Sequence, residues 1–293
     1  MAVNHLRLAA GFIILVGLHL ALIGAVWPQG LTSRELLLLA ASGAVGLVIG
    51  DAAYFSSLVL IGPATATLMV TSAPAFATAE AWFFLGEELP PRALLGAAIT
   101  LVGILLAVRG RMRRDPLLRR QERADGSPRA VGVPASGLAR RTLVLGLGLA
   151  LVGTLCQATG QVLARPALRD VDALSATLVR ISTAMLLLWG LLALRCAISG
   201  KRPAWWDGAM ADRRALALTM GGVITGPSFG VWLSQVATKH APVGIASTLM
   251  SLVPIFVMLT DWLLGRARPS ALEVVGSLVA IAGVYVLVSA PVG

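Results

Sequence analysis

The chain has 293 residues, of which 57% are hydrophobic and 13% charged, with a net charge of +10. Soluble domains carry about 25% charged residues, and a chain of this size has no soluble core able to hide so much apolar sequence. The composition therefore excludes a water-soluble globular protein and implies an all-α polytopic membrane protein, since runs longer than ~18 apolar residues recur along it.

Nine spans are predicted in chain order. They are A (8–27), B (36–60), C (63–84), D (92–108), E (142–164), F (173–194), G (214–238), H (242–264) and I (271–289). Span A is too long for a signal-peptide core, and no small-residue cleavage site precedes Trp27-Pro28. The segment from Arg109 to Arg141 holds ten of the 24 Lys and Arg residues, among Gly, Pro and Ser. It reads as a flexible linker, with binding to anionic lipid headgroups as the alternative. No aromatic residues interleave with its arginines, so a nucleic-acid partner is not expected.

Charge also orients the chain. Eighteen Lys and Arg residues fall at the N-terminus and in loops B–C, D–E, F–G and H–I, against five in the other loops and the C-terminus. Cytoplasmic loops collect Lys and Arg, so the bias places the N-terminus and the linker in the cytoplasm and the C-terminus outside.

The sequence repeats itself. Pro74, Phe76, Trp82, Gly96 and Gly103 recur 180 positions later as Pro254, Phe256, Trp262, Gly276 and Gly283. Span C thus matches H, D matches I, B matches G, and A matches F through the pairing of Arg7 with Arg180. Residues 1–108 form a first repeat of four spans, 109–141 the linker, and 142–293 a second repeat of five. Five spans separate equivalent points, and five is odd, so the repeats are inverted in the membrane. The first repeat lacks a partner for span E. Either the protein is a nine-span form, or Met1 is an internal methionine and the start lies upstream.

At these residues the chain resembles a known family. Leu85-Gly86-Glu87, followed by Gly96 and Gly103, is similar to the ending of an EamA domain, and the run bearing Pro74 resembles that domain's proline helix. The second copy keeps Leu264-Gly265, Gly276 and Gly283 but has Arg266 in place of the glutamate. The resemblance implies membership of the drug/metabolite transporter superfamily, with two inverted five-helix repeats and ten spans, one of them missing here. It implies a gradient-driven carrier in the cell (inner) membrane, most readily an exporter of amino acids, metabolites or drugs. A flippase for lipids or lipid-linked sugars, or a channel-like facilitator, is the alternative. It also implies both termini in the cytoplasm, against the charge count for the C-terminus.

Polar residues inside spans are costly and so mark function. Asp51, on one helical face with Tyr54, is a candidate for proton coupling or for pairing with a cationic solute; the structural alternative is a carboxylate held by hydroxyls or an arginine. Thr67, Thr71 and Thr78 share a face of span C with Pro74. Ser247, Ser251 and Asp261 share one of span H with Pro254. Proline frees backbone carbonyls, and the two stripes are expected to line a solute pathway. Thr154, Gln157 and Gln161 on span E, with Trp232 and Gln235 on span G, complete the candidate set. Glu87 and Glu88 read as caps of the helix that follows them. Arg7 and Arg180 read as headgroup anchors, Arg180 being deep enough to meet a solute carboxylate. The Gly46/Gly50 and Gly222/Gly226/Gly230 spacings read as close-packing sites. There is no zinc-protease motif, nucleophile elbow or phosphate loop, so no enzyme activity, cofactor or metal is expected. The expected partners are a small solute and membrane lipids, with the chain a monomer or homodimer.

Overall fold

The structure, a computed structural model, describes residues 2–114, 137–200, 221, 224–265 and 268–289; within these, the side chains of Thr67, Pro254 and Asp261 lie outside the description. The helices, in order, are α1 (Ala2–Ile23), α2 (Ser33–Gly43), α3 (Asp51–Val70), α4 (Ala73–Leu85), α5 (Pro91–Arg114), α6 (Gly137–Ala164), α7 (Ala173–Ser199), α8 (Val231–His240), α9 (Val243–Met250), α10 (Val253–Leu263) and α11 (Ala271–Val288). Short π segments, Ala44–Gly50 and Ile224–Gly230, join α2 to α3 and precede α8. Residues 115–136 of the linker and the first residues of span G lie outside the described chain.

Among the described residues, six stretches are long and apolar enough to cross a bilayer: Asn4–Ile23, Ser33–Gly62, Pro91–Gly110, Arg141–Ala164, Ala173–Ser199 and Ala271–Val288. They correspond to spans A, B, D, E, F and I. Spans C and H are interrupted at equivalent places. The helix stops at Thr71–Ser72 in one and at Ser251–Leu252 in the other, with a proline in the first turn of the new helix. The cause is local: proline has no N–H to donate and its ring clashes with the preceding turn. Ser72 and Ser251 repair each break by donating their hydroxyls to the carbonyls of Met69 and Thr248, at 2.5 and 2.7 Å. The π segments also recur 180 residues apart. The repeat is therefore written in helix irregularities as well as in residues.

Two compact units cut across the sequence halves: Met1–Ala52 with Cys156–Val243, and Ala53–Leu155 with Gly244–Gly293. In the second unit, α5 and α11, equivalent helices of the two repeats, make backbone-to-backbone contact. A Cβ on Gly96 would sit 2.7 Å from the Cα of Leu287, one on Gly103 2.7 Å from Ala280, and one on Gly276 2.9 Å from Ala107. Partner numbers fall as those of α5 rise, so the two helices run antiparallel, as an inverted pair requires. Ile104, Val108 and Ala280 form the buried cluster beside this seam, with Leu252 and Ile255 against it.

The helix ends obey ordinary chemistry. Gly86 and Gly265 both adopt φ +64°, the left-handed conformation that closes α4 and α10. The N–H of Glu87 returns to Ala81 O at 3.2 Å. The backbone of Glu87 thus finishes the preceding helix, while α5 opens on Pro91 after the Pro90 carbonyl accepts from Ala93 and Leu94. Helix α11 opens on a reciprocal cap: the Ser270 hydroxyl accepts from the Glu273 N–H at 3.3 Å, and the Glu273 carboxylate from the Ser270 N–H at 2.7 Å. Ser270→Ala is expected to lower stability by about 0.5–2 kcal/mol, measured as a fall in the melting temperature of the purified protein.

In the first unit, α7 packs on α1, α2 and α8. Leu8, Leu15, Leu178, Ile181 and Ala184 form one buried cluster. Leu39, Ala164, Leu168 and Val179 form another. Asp172 caps α7 by accepting from the Leu174 and Ser175 N–H groups, each at 2.9 Å. Arg165 closes the end of α8 by donating to the carbonyls of Thr238 and Lys239, and Lys239 donates to Val171 O at 2.7 Å. Cations at a helix C-terminus satisfy its orphan carbonyls and its dipole.

Candidate functional site

Helices α1 and α7 are also repeat equivalents, and they too run antiparallel. The His5 ring meets the Trp189 ring edge-on, with centroids 5.7 Å apart. Fourteen residues further along α1, His19 Nε2 meets the Ser175 hydroxyl at 2.9 Å, and His19 Nδ1 the Ala25 carbonyl at 2.6 Å. Equivalent positions of the two helices come level near Ala10 and Gly11. Arg7 and Arg180 then lie about 5 Å either side of that level, at 1.5 Å of rise per residue.

Both arginines act on Asp51. Arg7 donates to its carboxylate in an ion pair, and Arg180 adds a second, Coulombic attraction. Asp51 is 7% exposed and Arg180 4%, while the Arg7 side chain is 25% exposed. This corrects the reading of Arg180 as a headgroup anchor: its side chain is buried within the unit. Among the readings of Asp51, an arginine partner is what the structure places beside it, and that partner is Arg7.

The backbone around Arg180 is stripped of side chains. A Cβ on Gly43 would meet the Cα of Arg180 at 2.9 Å, so α2 crosses α7 there by backbone contact. Gly46, in the π segment, faces Gly160 of α6; a Cβ on Gly160 would lie 3.0 Å from the Gly46 Cα, and one on Gly46 3.5 Å from Arg180 Nη2. Ser42 fastens the same crossing by donating its hydroxyl to Gly160 O. The close-packing reading of Gly46 thus has a partner in the structure. Among the described residues nothing lies within 4 Å of where a Cβ on Gly226, its equivalent, would be, and Gly222 lies outside them. A π turn displaces the register of the helix downstream of it and recurs at functional sites; here it carries the chain from Gly43 past Gly46 to Asp51.

The other predicted residues fall into two groups. On the first unit, Gln161 follows Gly160 on α6, and its Oε1 is buried without a partner among the described residues. Gln235 is fully buried on α8, also with an unpartnered Oε1 and only a 3.5 Å contact from Nε2 to Ser234. Gln157 is half-buried. Trp232 packs against both buried clusters and stands 6.1 Å from the Phe229 ring.

On the second unit, Tyr54 is half-buried, its ring 5.8 Å from that of Phe55. Thr154 is buried and donates to Ala150 O at 2.8 Å, which occupies its hydroxyl within the helix. Thr71 and Ser247 are buried, at 5% and 3% exposure. Thr78 lies against Gly244: a Cβ there would meet the Thr78 Cβ at 3.2 Å. Spans C and H therefore touch where the last threonine of one stripe meets the residues just before the other. Ser251 spends its hydroxyl on the helix break. The side chains of Thr67, Pro254 and Asp261 lie outside the described residues.

Sequence reasoning treats Asp51, Arg7 and Arg180 separately and does not join them. The signal is present all the same: the repeat alignment that equates Arg7 with Arg180 also puts two cations at symmetric depth, and Asp51 is an acid on a span of the same repeat as Arg7. Among the described residues, no group of three His, Cys, Asp or Glu side chains could hold a metal.

Known proteins agree with this architecture. The sequence matches the EamA-like transporter family over residues 1–109 and 144–289, stopping at the linker on both sides. A solved structure, titled only "Crystal structure of protein", superposes with a TM-score of 0.66 at 19% identity, covering 97% of this chain and 86% of that one; at that identity the likeness concerns the fold. The comparison with curated proteins returned no match. With the family match spanning both repeats, the chain belongs to the EamA-like transporter family, and it is a multi-pass membrane transporter of the drug/metabolite transporter type.

Proposed function

We propose that the protein is a gradient-driven carrier of small organic metabolites in the cell (inner) membrane, working as an exporter. One observation carries the reading. Three charged groups, Arg7, Asp51 and Arg180, meet inside one unit of the membrane-spanning bundle, with Arg7 and Arg180 about 5 Å either side of the level where equivalent positions of α1 and α7 coincide. Secondary carriers bind solute at such a level, near the bilayer midplane and the repeat axis. Charges placed there cost stability, and a purely structural bundle has no need of them. The paired helix breaks at Thr71–Ser72 and Ser251–Leu252 add the discontinuous helices that such carriers use to move.

Drive comes from a gradient in this reading, because the sequence has no phosphate-binding loop for ATP. Asp51, held by Arg7, serves as counter-ion to the cluster. The test is flux and counterflow in liposomes made with the full chain, over amino acids, organic acids and cationic drugs. Saturable flux with counterflow is expected. Flux that rises linearly without saturation would mark a channel, and no flux for any of these solutes would remove the reading.

A further inference from the structure

We propose that Arg180 is the anion-binding element of the solute site, and that the solutes carried bear a carboxylate. The proposal rests on the carrier reading above and deepens it. Three observations converge on Arg180.

The first is unmet hydrogen bonding. Arg180 is 4% exposed, yet its Nε and Nη1 are buried and donate to nothing among the described residues. Those two nitrogens carry three N–H donors. Buried polar groups without partners are rare, and each asks for a reason.

The second is charge. Among the described residues the charged group acting on Arg180 is Asp51, whereas Asp51 answers to both Arg7 and Arg180. Arg7 already holds the Asp51 carboxylate through a direct hydrogen bond. Of the two guanidinium groups, the fully buried one, Arg180, is thus the one with no direct hydrogen bond to a carboxylate among the described residues. A buried charge without a counter-ion is strongly unfavourable. A monoanion seated there neutralises the cluster; a cationic solute would worsen it.

The third is shape. The guanidinium lies beside a glycine, with Arg180 Nη2 3.5 Å from where a Cβ on Gly46 would be. Guanidinium and carboxylate match in planar, two-bond geometry, which is why arginine is chosen where carboxylates are recognised.

A structural role for Arg180 predicts something different. If the arginine held the bundle together, replacing it would unfold the protein. If it awaits a ligand, Arg180→Gln leaves the Arg7–Asp51 pair neutral and whole, so the variant is expected to fold and melt no lower than wild type. The experiment is a thermal-shift series on the full chain in phosphatidylcholine nanodiscs, wild type beside Arg180→Gln and Arg180→Lys. The probes are amino acids and organic monocarboxylates, each paired with its uncharged carboxamide, together with simple amines.

Carboxylates are expected to stabilise the wild type while their carboxamides do not. Arg180→Gln should lose the response, and Arg180→Lys, which keeps the charge but not the two-bond geometry, should weaken it by about ten- to hundredfold, as loss of one hydrogen bond to a charged group implies. The wild-type comparison of carboxylate with carboxamide stands even if a variant fails to fold. Stabilisation by amines or carboxamides alone, by no carboxylate at all, or equally in Arg180→Gln overturns the proposal. Nanodiscs containing phosphatidylglycerol separate the other source of anions: stabilisation by that lipid alone, lost in Arg180→Gln, would give the site to a headgroup and overturn the solute assignment. Saturable flux of non-anionic solutes would sink the anion site and leave the carrier reading intact. Carboxylate binding without any flux would do the reverse.

Discussion

Gly103→Val is expected to lose the folded protein. The Cβ it introduces would lie 2.7 Å from the Cα of Ala280, closer still to backbone atoms of α11, and no rotamer relieves a clash with main chain. Overpacking in a core that can adjust costs about 1–3 kcal/mol. Here the neighbour is a helix backbone, so the cost belongs at or above the top of that range. Gly276→Val, the repeat mate, should fail in the same way, because its Cβ meets the backbone of Ala107. The measurement is the monodisperse peak and melting temperature of detergent-purified protein. Gly190→Ala is the control. Gly190 lies inside α7, is exposed, and has nothing within 4 Å of its would-be Cβ. Alanine there should be neutral, or stabilising by up to about 1 kcal/mol through helix propensity. If Gly103→Val melts like wild type, the antiparallel seam is not where the structure puts it.

This seam also shows how far the sequence can be read. Gly96, Gly103, Gly276 and Gly283 are visible as repeated letters, and their count with the spans yields the inversion. What letters do not reveal is that these glycines meet one another's helices. A glycine seven residues after another looks the same facing lipid or facing backbone. The breaks in spans C and H are signalled by Pro74 and Pro254, since proline acts on its own helix and its effect is local. The π segments have no such sign: Ala44–Gly50 contains no proline, Ile224–Gly230 contains Pro227, and the shared feature is a displaced hydrogen-bond register that only coordinates reveal.

The candidate site divides in the same way. Asp51 stands out because a carboxylate sixteen residues into a span is expensive wherever it points. Arg7 and Arg180 resemble anchors because each sits within two or so turns of a helix start, where snorkelling is the usual answer. Their true neighbours depend on α1 and α7 lying antiparallel against each other, a tertiary fact. Thr154 and Ser251 also make local bonds that the letters do not show. Both look available in sequence, but a hydroxyl in a helix can satisfy itself on the carbonyl three or four residues earlier, and both do so.

The second large effect falls on Asp51. Asp51→Asn removes the anion that answers the buried Arg180 guanidinium and the partly exposed Arg7 guanidinium. Breaking a buried pair by deleting one partner costs about 3–5 kcal/mol, because the surviving charge stays buried. Asp51→Asn should therefore melt far below wild type, and below Arg7→Gln. In Arg7→Gln, Asp51 still has Arg180 to neutralise it. The order Asp51→Asn worst, Arg7→Gln intermediate and Arg180→Gln least affected reflects what each change leaves: two cations without the shared carboxylate, a rearranged neutral pair, and an untouched neutral pair. The double variant Asp51→Asn/Arg7→Gln should recover part of the loss, since it leaves one cation without that carboxylate instead of two. A cycle over these variants isolates the coupling between Asp51 and Arg7, which for groups in direct contact is expected at about 0.5–3 kcal/mol. Melting temperatures of the four proteins, each in the same lipid, provide the measurement. Were Asp51→Asn to match wild type within about 0.5 kcal/mol, the carboxylate would not be the counter-ion of a buried cluster. The charge arithmetic that makes Arg180 a seat for anions would then have no basis.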